Sequence, residues 1–183
     1  MLTCRSLING LLIFTLVMTA AMAPRAATAQ GVDADATAGL NALYRSTPAA
    51  KTLAQTAKGI LIFPKIVKAG FIVGAQYGEG ALFKNGQPAG HYNIAAGSYG
   101  LQAGIQGFAY AMFFMTDSAL TYLDNTGGFE VGAGPSVVVV DAGKARSLTT
   151  TTARDDVYAF IFGQKGLMAG MGLQGSKITR IGP

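Results

Sequence analysis

The sequence predicts an α+β fold: a strongly curved, antiparallel, barrel-like β-sheet rich in glycine, with helices on its N-terminal side. Three observations predict it. Helical patterning is concentrated before residue 58. Beyond it the chain breaks into short apolar or alternating runs separated by turn signals. The 25 glycines recur on one face of several of these runs. Glycine normally weakens a strand, so its repetition on one face points to close backbone approach, strong coiling or barrel corners.

The elements follow in order. Residues 33–46 are rich in Ala and Leu with acids at their start, which suits a helix N-terminus. Thr47-Pro48 is a second start, with Thr as N-cap and Pro at the first helical position, for a short helix to about Ala57 that Gly59 stops. Ile60-Leu61-Ile62-Phe63 reads as a compact apolar strand closed by Pro64. After it, Phe71, Val73, Ala75 and Tyr77 share one face, and Gly70, Gly74, Gly78 and Gly80 the other. Asn85-Gly86 is a hairpin turn between residues 81–84 and a strand around Tyr92-Asn93-Ile94. Gly100, Gln102, Gly104 and Gln106 fall opposite Leu101, Ala103 and Ile105. Residues 108–115 form a wholly apolar, buried strand, and 116–123 one or two helical turns capped by Thr116. Residues 136–140, 157–162, 167–173 and 177–181 read as later strands. The Gly70-x3-Gly74 and Gly100-x3-Gly104 spacings match a membrane-helix packing motif, but charges and turn signals interrupt both segments.

An export signal precedes these elements. Arg5 supplies its charge, residues 11–18 its apolar core, and Ala27-Thr28-Ala29 the small-x-small cleavage pattern. Residues 1–29 are thus a signal peptide and 30–183 a single domain. Cleavage after Ala21-Met22-Ala23 would leave Pro24 first, which is unfavourable. The competing reading, an uncleaved anchor, needs ~20 apolar residues, more than this core offers. Cys4, the sole cysteine, precedes the apolar core, so it is not placed for acylation at the cleavage point, and the remaining chain has no disulfide. The expected location is periplasmic or secreted, peripheral to a membrane and not transmembrane after cleavage.

Of 183 residues, 154 remain after a 29-residue signal, enough for one domain with a real core. Removing Arg5 and Arg25 leaves 12 basic against 9 acidic residues, a net charge of +3 that does not argue for nucleic acid. The distribution is more telling. Arg45, Lys51, Lys58, Lys65 and Lys68 occur in a stretch without an acid. That stretch is either a solvated face or a footprint for an anionic surface such as lipid headgroups.

Chemistry-bearing constellations are weak. His91 is the one histidine, so a zinc site of the usual His/Cys type cannot be assembled. Residues 124–130 lack EF-hand spacing. Ala96-Gly97-Ser98-Tyr99-Gly100 resembles a nucleophile elbow, but strand follows it and His91 precedes it. Gly132-Ala133-Gly134-Pro135 lacks the third glycine of a dinucleotide fingerprint, and there is no Walker loop. Asp155 and Asp156 are adjacent, and neighbours on a strand point to opposite faces. The reading is therefore a protein that is not an enzyme, with no metal and no cofactor.

Residues 57–71, Ala-Lys-Gly-Ile-Leu-Ile-Phe-Pro-Lys-Ile-Val-Lys-Ala-Gly-Phe, are more specific. They resemble the opening motif of the SYLF family, also called the Las17-binding or actin-regulator domain. Gly78-Glu79-Gly80-Ala81-Leu82 is similar to its G-x-G-hydrophobic strand, and Ser98-Tyr99-Gly100-Leu101-Gln102-Ala103-Gly104 to its S-x-G-x-Q-x-G segment. Gly166-Leu167-Met168-Ala169-Gly170, followed by Leu173-Gln174-Gly175, resembles its C-terminal element. The resemblance implies a lipid-binding module. Eukaryotic members bind phosphoinositides, and some engage actin through flanking segments. This chain has the form of the bacterial members, which are exported single domains, so an actin role is not carried over.

The combined expectation is a peripheral binder of an anionic phospholipid membrane surface. Lys51, Lys58, Lys65 and Lys68 would contact headgroups, with the apolar Ile62 and Phe63 beside them. Two alternatives stand beside it: an envelope structural or assembly protein that binds another protein, and a carrier that encloses an apolar ligand in an interior cavity.

Overall fold

The computed structural model describes residues 28–70, 73–99, 104–125, 129–132, 134–140, 154–165 and 175–183. Two helices lead, α1 (Ala29–Ser46) and α2 (Pro48–Ala54). Four long strands follow: β1 (Gly59–Gly70), β2 (Val73–Lys84), β3 (Gln87–Tyr99) and β4 (Gly104–Phe114). Then come α3 (Asp117–Asn125), β5 (Phe129–Glu130), β6 (Val137–Val140), β7 (Val157–Lys165) and β8 (Lys177–Gly182). The strands form one eight-stranded sheet in the order β5-β8-β3-β2-β1-β4-β7-β6. It curves into a half-barrel. The expected α+β, curved and glycine-rich architecture is therefore present, with one departure from an antiparallel sheet. The edge pair β6–β7 is parallel.

Local chemistry sets the helix ends. The Gly31 N–H donates to Thr28 Oγ1 at 3.3 Å, so α1 starts at Ala29 rather than Asp33. Asp33 and Asp35 consequently lie beyond the first turn. Thr47 takes the N-cap position of α2 without a side-chain cap bond, and Pro48 opens the helix as expected. That helix ends at Ala54, short of Ala57. Thr116 caps α3 as predicted, its Oγ1 accepting from the Ala119 N–H at 3.3 Å. The β2–β3 hairpin turns on Asn85 (φ 51°) and Gly86 (φ 77°), the left-handed pair that a two-residue hairpin requires. The strand expected over 167–173 and the signal residues 1–27 lie outside the described residues.

Pro64 corrects a strand boundary. It does not close the Ile60–Phe63 run, because β1 continues to Gly70. Proline has no N–H for the ladder and enters a central strand only at a bulge. Accordingly, the register with β2 shifts between Ile62 and Lys65, and the register with β4 shifts between Phe63 and Ile66. The slip inverts the inside-outside alternation from that point on.

Two cores result, one on each side of the sheet. The inner core draws on both edges of the half-barrel, with Phe129 and Ile178 from one and Val157 and Ala159 from the other, around Phe63, Ile66 and Tyr110. Helix α3 adds Ala119, Leu120 and Leu123 to it. On the outer face, Val32, Ala36 and Leu43 of α1 and Leu53 of α2 pack on Ile62, Ala81 and Phe113. Phe113 meets Phe160 edge to face at 5.3 Å. Each fully buried Leu or Phe contributes roughly 1.5–3 kcal/mol.

Gly80 lies across from the bulge, between the pairs Ile62–Ala81 and Lys65–Glu79. A Cβ there would collide with the Ile62 carbonyl oxygen and sit 2.7 Å from Phe63 Cδ1. Gly80→Ala is therefore expected to destabilise the fold by about 3 kcal/mol. Gly97→Ala, whose new methyl meets nothing within 4 Å, should change stability by less than about 0.5 kcal/mol. Thermal unfolding of the two variants checks this, and equal melting temperatures would refute the close-approach role of Gly80.

Candidate functional site

The structure separates the six residues expected to form one lipid footprint. Lys51 is exposed on α2 and Lys58 is exposed just before β1. Lys58 pairs with Asp117 at 3.6 Å, an exposed contact of little energetic weight. Lys65 is exposed on the outer face of β1, whereas Lys68 is only 6 % exposed and points inward. Ile62 and Phe63 are wholly buried and face opposite sides. Ile62 lies under the helices, and Phe63 stacks on Tyr110 in the inner core with ring centroids 6.4 Å apart. Neither is an apolar group at the surface, which corrects the expected site. Seven strand residues from Lys58 to Lys65 also span ~23 Å, so these lysines do not converge.

A different surface has the expected chemistry. Beyond Pro64 no helix among the described residues covers the outer face, because α1 crosses the sheet at the bulge. A Cβ on Gly39 of α1 would lie 3.3 Å from Pro64 Cβ. Four large apolar residues stand exposed there: Val67 at 40 %, Val73 at 60 %, Tyr77 at 50 % and Ile105 at 71 %. The strand register places two of them in one row. Lys177, Ala95, Tyr77, Val67, Gly107 and Lys165 are successive partners across β8, β3, β2, β1, β4 and β7. Lysines therefore end a row whose middle is apolar. Lys65 borders it on the next outer position of β1, across from Glu79.

The rim is mixed in charge. The Tyr77 hydroxyl donates to Glu79 Oε1 at 2.8 Å. Partial burial, then the Glu79 hydrogen bond and charge, push the Tyr77 pKa up, so the phenol stays neutral. Glu130 is exposed beside Lys177. Among the described residues, Lys65, Lys165 and Lys177 make no ion pair. Sequence reasoning grouped Val73, Ala75 and Tyr77 on one face correctly. It did not reveal that this face stays bare.

The inner face carries its own polar row at the same end of the sheet. Lys68 pairs with Gln76 on one side and Gln106 on the other. All three side chains are buried, and Gln76 Nε2 donates to the buried Ser176 Oγ at 2.8 Å.

The remaining polar groups have structural partners. His91 Nε2 lies 3.0 Å from Asp33 Oδ1 and its Nδ1 2.7 Å from the Pro183 carbonyl oxygen, tying α1 to the sheet. Ser98 is seven residues from His91 on the same strand, ~23 Å away, so the elbow-like segment has no histidine within reach. Asp156 accepts from Thr116 Oγ1 at 3.1 Å and from the Ser136 N–H and Oγ–H at 3.2 Å, while Asp155 accepts from the Tyr158 hydroxyl at 3.1 Å. Among the described residues no group of three or more His, Cys, Asp or Glu could hold a metal. A cleft of about 410 Å³ opens between α1 and the β2–β3 hairpin, lined by Leu40, Tyr44, Ile60 and Phe83 among others. Burial there raises the Tyr44 pKa.

Among the described residues, helices cover one half of the sheet's outer face and none covers the other. Residues 95–181 match the family model Ysc84, described as Las17-binding protein actin regulator. That model is of the SYLF family, which the sequence motifs also resemble. The match runs from within β3 to within β8. No curated protein matches the chain. No helix among the described residues is long and apolar enough to cross a membrane.

Asp124 joins three elements. It accepts from Lys84 Nζ at 3.0 Å and the Tyr92 hydroxyl at 2.7 Å, with Arg180 Nη1 at 3.8 Å. Burial opposes its ionisation, but the Tyr92 bond, Lys84 and Arg180 together outweigh that and hold its pKa below the usual 3.8. A carboxylate with a depressed folded pKa stabilises the fold above its unfolded pKa, and that stability is lost as pH falls through the folded pKa. Asp124→Asn should lower the melting temperature at pH 7, and the gap from wild type should close as the pH drops below about 4. Melting curves across pH 3–7 check this. A gap that is constant over the range would refute the electrostatic role.

Proposed function

We propose that this protein is an exported peripheral module that docks the bare outer face of its sheet on an anionic phospholipid surface. One observation carries the reading: Val67, Val73, Tyr77 and Ile105 stand exposed together, rimmed by Lys65, Lys165 and Lys177, which make no ion pair among the described residues. A contiguous apolar patch on a protein surface marks an interaction site. Tyrosine suits the boundary between headgroups and acyl chains, with an apolar ring and a polar tip. Each lysine near an anionic surface contributes about 1 kcal/mol. The match of residues 95–181 to the SYLF family model supports a binding module with lipid or protein partners. The residue pattern of an export signal supports the periplasmic or secreted location. Lys51 and Lys58 lie at the other end of the sheet and outside this footprint.

The family description names a protein ligand and actin regulation, so an envelope protein is the alternative partner for the same face. A second reading draws on the cleft lined by Leu40, Tyr44, Ile60 and Phe83, which could carry a small apolar ligand. It requires lipid or another apolar compound to be extractable from the purified protein.

Vesicle flotation separates these readings. Phosphatidylglycerol vesicles should recover the protein and phosphatidylcholine vesicles should not, with recovery falling as salt rises. Replacing Lys65, Lys165 and Lys177 by Gln should weaken partitioning about 100-fold, from ~1 kcal/mol per lysine. Glu130→Gln should strengthen it. Ile105→Asp should abolish recovery while leaving melting unchanged. Equal recovery with both vesicle types overturns the electrostatic reading, and recovery with neither, alongside a partner that Ile105→Asp releases, supports the protein-binding alternative.

A further inference from the structure

The cleft between α1 and the β2–β3 hairpin joins an apolar floor to a polar rim. Helix α1 buries one stripe against the sheet, with Val32, Ala36 and Leu43. The neighbouring stripe, Thr37, Leu40, Asn41 and Tyr44, has the i, i+3, i+4, i+7 spacing of a single helix face and lines the cleft. Ile60 near the start of β1, Phe83 near the end of β2 and the turn residues Asn85 and Gly86 supply other walls. Phe83 is 8 % exposed, and Leu40, Tyr44 and Ile60 are partly buried against the outer core. Asn41, Gln55 and Asn85, in contrast, are exposed. Gly86 keeps the hairpin side open, since a Cβ there would meet nothing within 4 Å.

Charge is excluded from this lining. Among the described residues no Lys, Arg, Asp or Glu contributes to it. The two lysines next to it in sequence turn to α3, Lys58 to Asp117 and Lys84 to Asp124. Helix α3 packs on the inner core, across the sheet from α1. A charged group entering the cleft would therefore leave water with no opposite charge to meet it, which is costly. Uncharged hydrogen-bonding groups are available instead. Among the described residues, the side chains of Asn41, Tyr44, Gln55 and Asn85 make no hydrogen bond within the protein. Carboxamides and phenols both donate and accept, as an alcohol does, whereas a carboxylate only accepts. The volume of about 410 Å³ is at the lower end of the ~300–1,000 Å³ of small-molecule sites. It has room for one short chain and its head, not for a two-chain phospholipid.

We propose that this cleft binds an uncharged single-chain amphiphile with a hydroxyl-bearing head, of the monoacylglycerol class. The chain lies on Leu40, Ile60 and Phe83, and the head hydroxyls bond Tyr44, Asn41 and Asn85. Such a site rests on the carrier reading of the cleft. It owes nothing to the outer docking face, because Ile60 stands near the opposite end of β1 from Val67.

Calorimetric titration of the purified protein at pH 7 tests the assignment with three probes of equal chain length, each below its micelle concentration: 1-octanoylglycerol, octanoate and octyltrimethylammonium. The glycerol ester should bind, and the two charged probes should bind at least tenfold more weakly. It should also raise the melting temperature of wild type. Tyr44→Phe and Asn41→Leu should each weaken its binding roughly fivefold, through one lost hydrogen bond. Ile105→Asp, on the docking face, should bind it as wild type does. Equal binding of the three probes, or tighter binding of octanoate, overturns the uncharged head and leaves the carrier reading standing. Binding of none of them overturns both. Wild-type affinity in both Tyr44→Phe and Asn41→Leu overturns the placement of the head in this cleft.

Discussion

The missing N–H of Pro64 is the constraint on which the rest of the sheet depends. β1 lies at the centre of the sheet, hydrogen-bonded to β2 on one side and β4 on the other. A residue that cannot donate must interrupt a ladder there, and both registers slip around it. Before the bulge Leu61 and Phe63 face inward, and after it Ile66 and Lys68 do. Without the slip, strict alternation would carry Lys65 and Val67 inside and leave Ile66 and Lys68 outside. The position of one proline thus decides which side of the sheet receives the charge and which the exposed apolar group.

Gly80 makes that arrangement sterically feasible. The extra residue brings the Ile62 carbonyl and the Phe63 ring close to the facing strand, and only a residue without Cβ fits opposite them. This gives a physical account of two of the family-like segments. Residues 57–71 contain the proline, and Gly78-Glu79-Gly80-Ala81-Leu82 lies across from it. The two motifs are the two sides of one bulge. The α1 helix then uses the same place, with Gly39 lying over Pro64, where the ring replaces a ladder bond with a flat apolar contact. Helical cover ends where the register slips, which divides the outer face into a buried half and a bare half.

Much of the fold was legible because it rests on local rules. Asn85-Gly86 can hardly do anything but turn a hairpin, Thr116 is a cap in the right context, and the even-numbered glycines from Gly70 to Gly80 share a face as alternation requires. The functional surface was harder to read for a non-local reason. Lys65 and Lys68 are three residues apart on a strand, and whether they share a face depends on where the bulge falls between Ile62 and Ile66. A proline at the end of an apolar run reads equally well as a strand terminus. Once β1 was cut at Pro64, Ile62 and Phe63 looked like the border of a basic surface instead of members of two separate cores. Lys165 and Lys177 were missed because their place beside Val67 and Tyr77 exists only through the sheet order, which joins β7 to β4 and β8 to β3. Nothing in the sequence near either lysine marks it.

The two faces beyond the bulge are consequently one device. Odd residues of β2 supply Val73, Ala75 and Tyr77 to the outside, and even residues supply Gly74, Gln76 and Gly78 to the inside. β1 repeats the division with Val67 and Ala69 against Lys68 and Gly70. An exposed apolar face and a buried polar row therefore share a backbone one sheet thick. No substitution can shift one face along the strand without shifting the other, since a one-residue slip exchanges them. Conserving the bulge geometry, set by Pro64 and Gly80, is what keeps both faces correctly assigned.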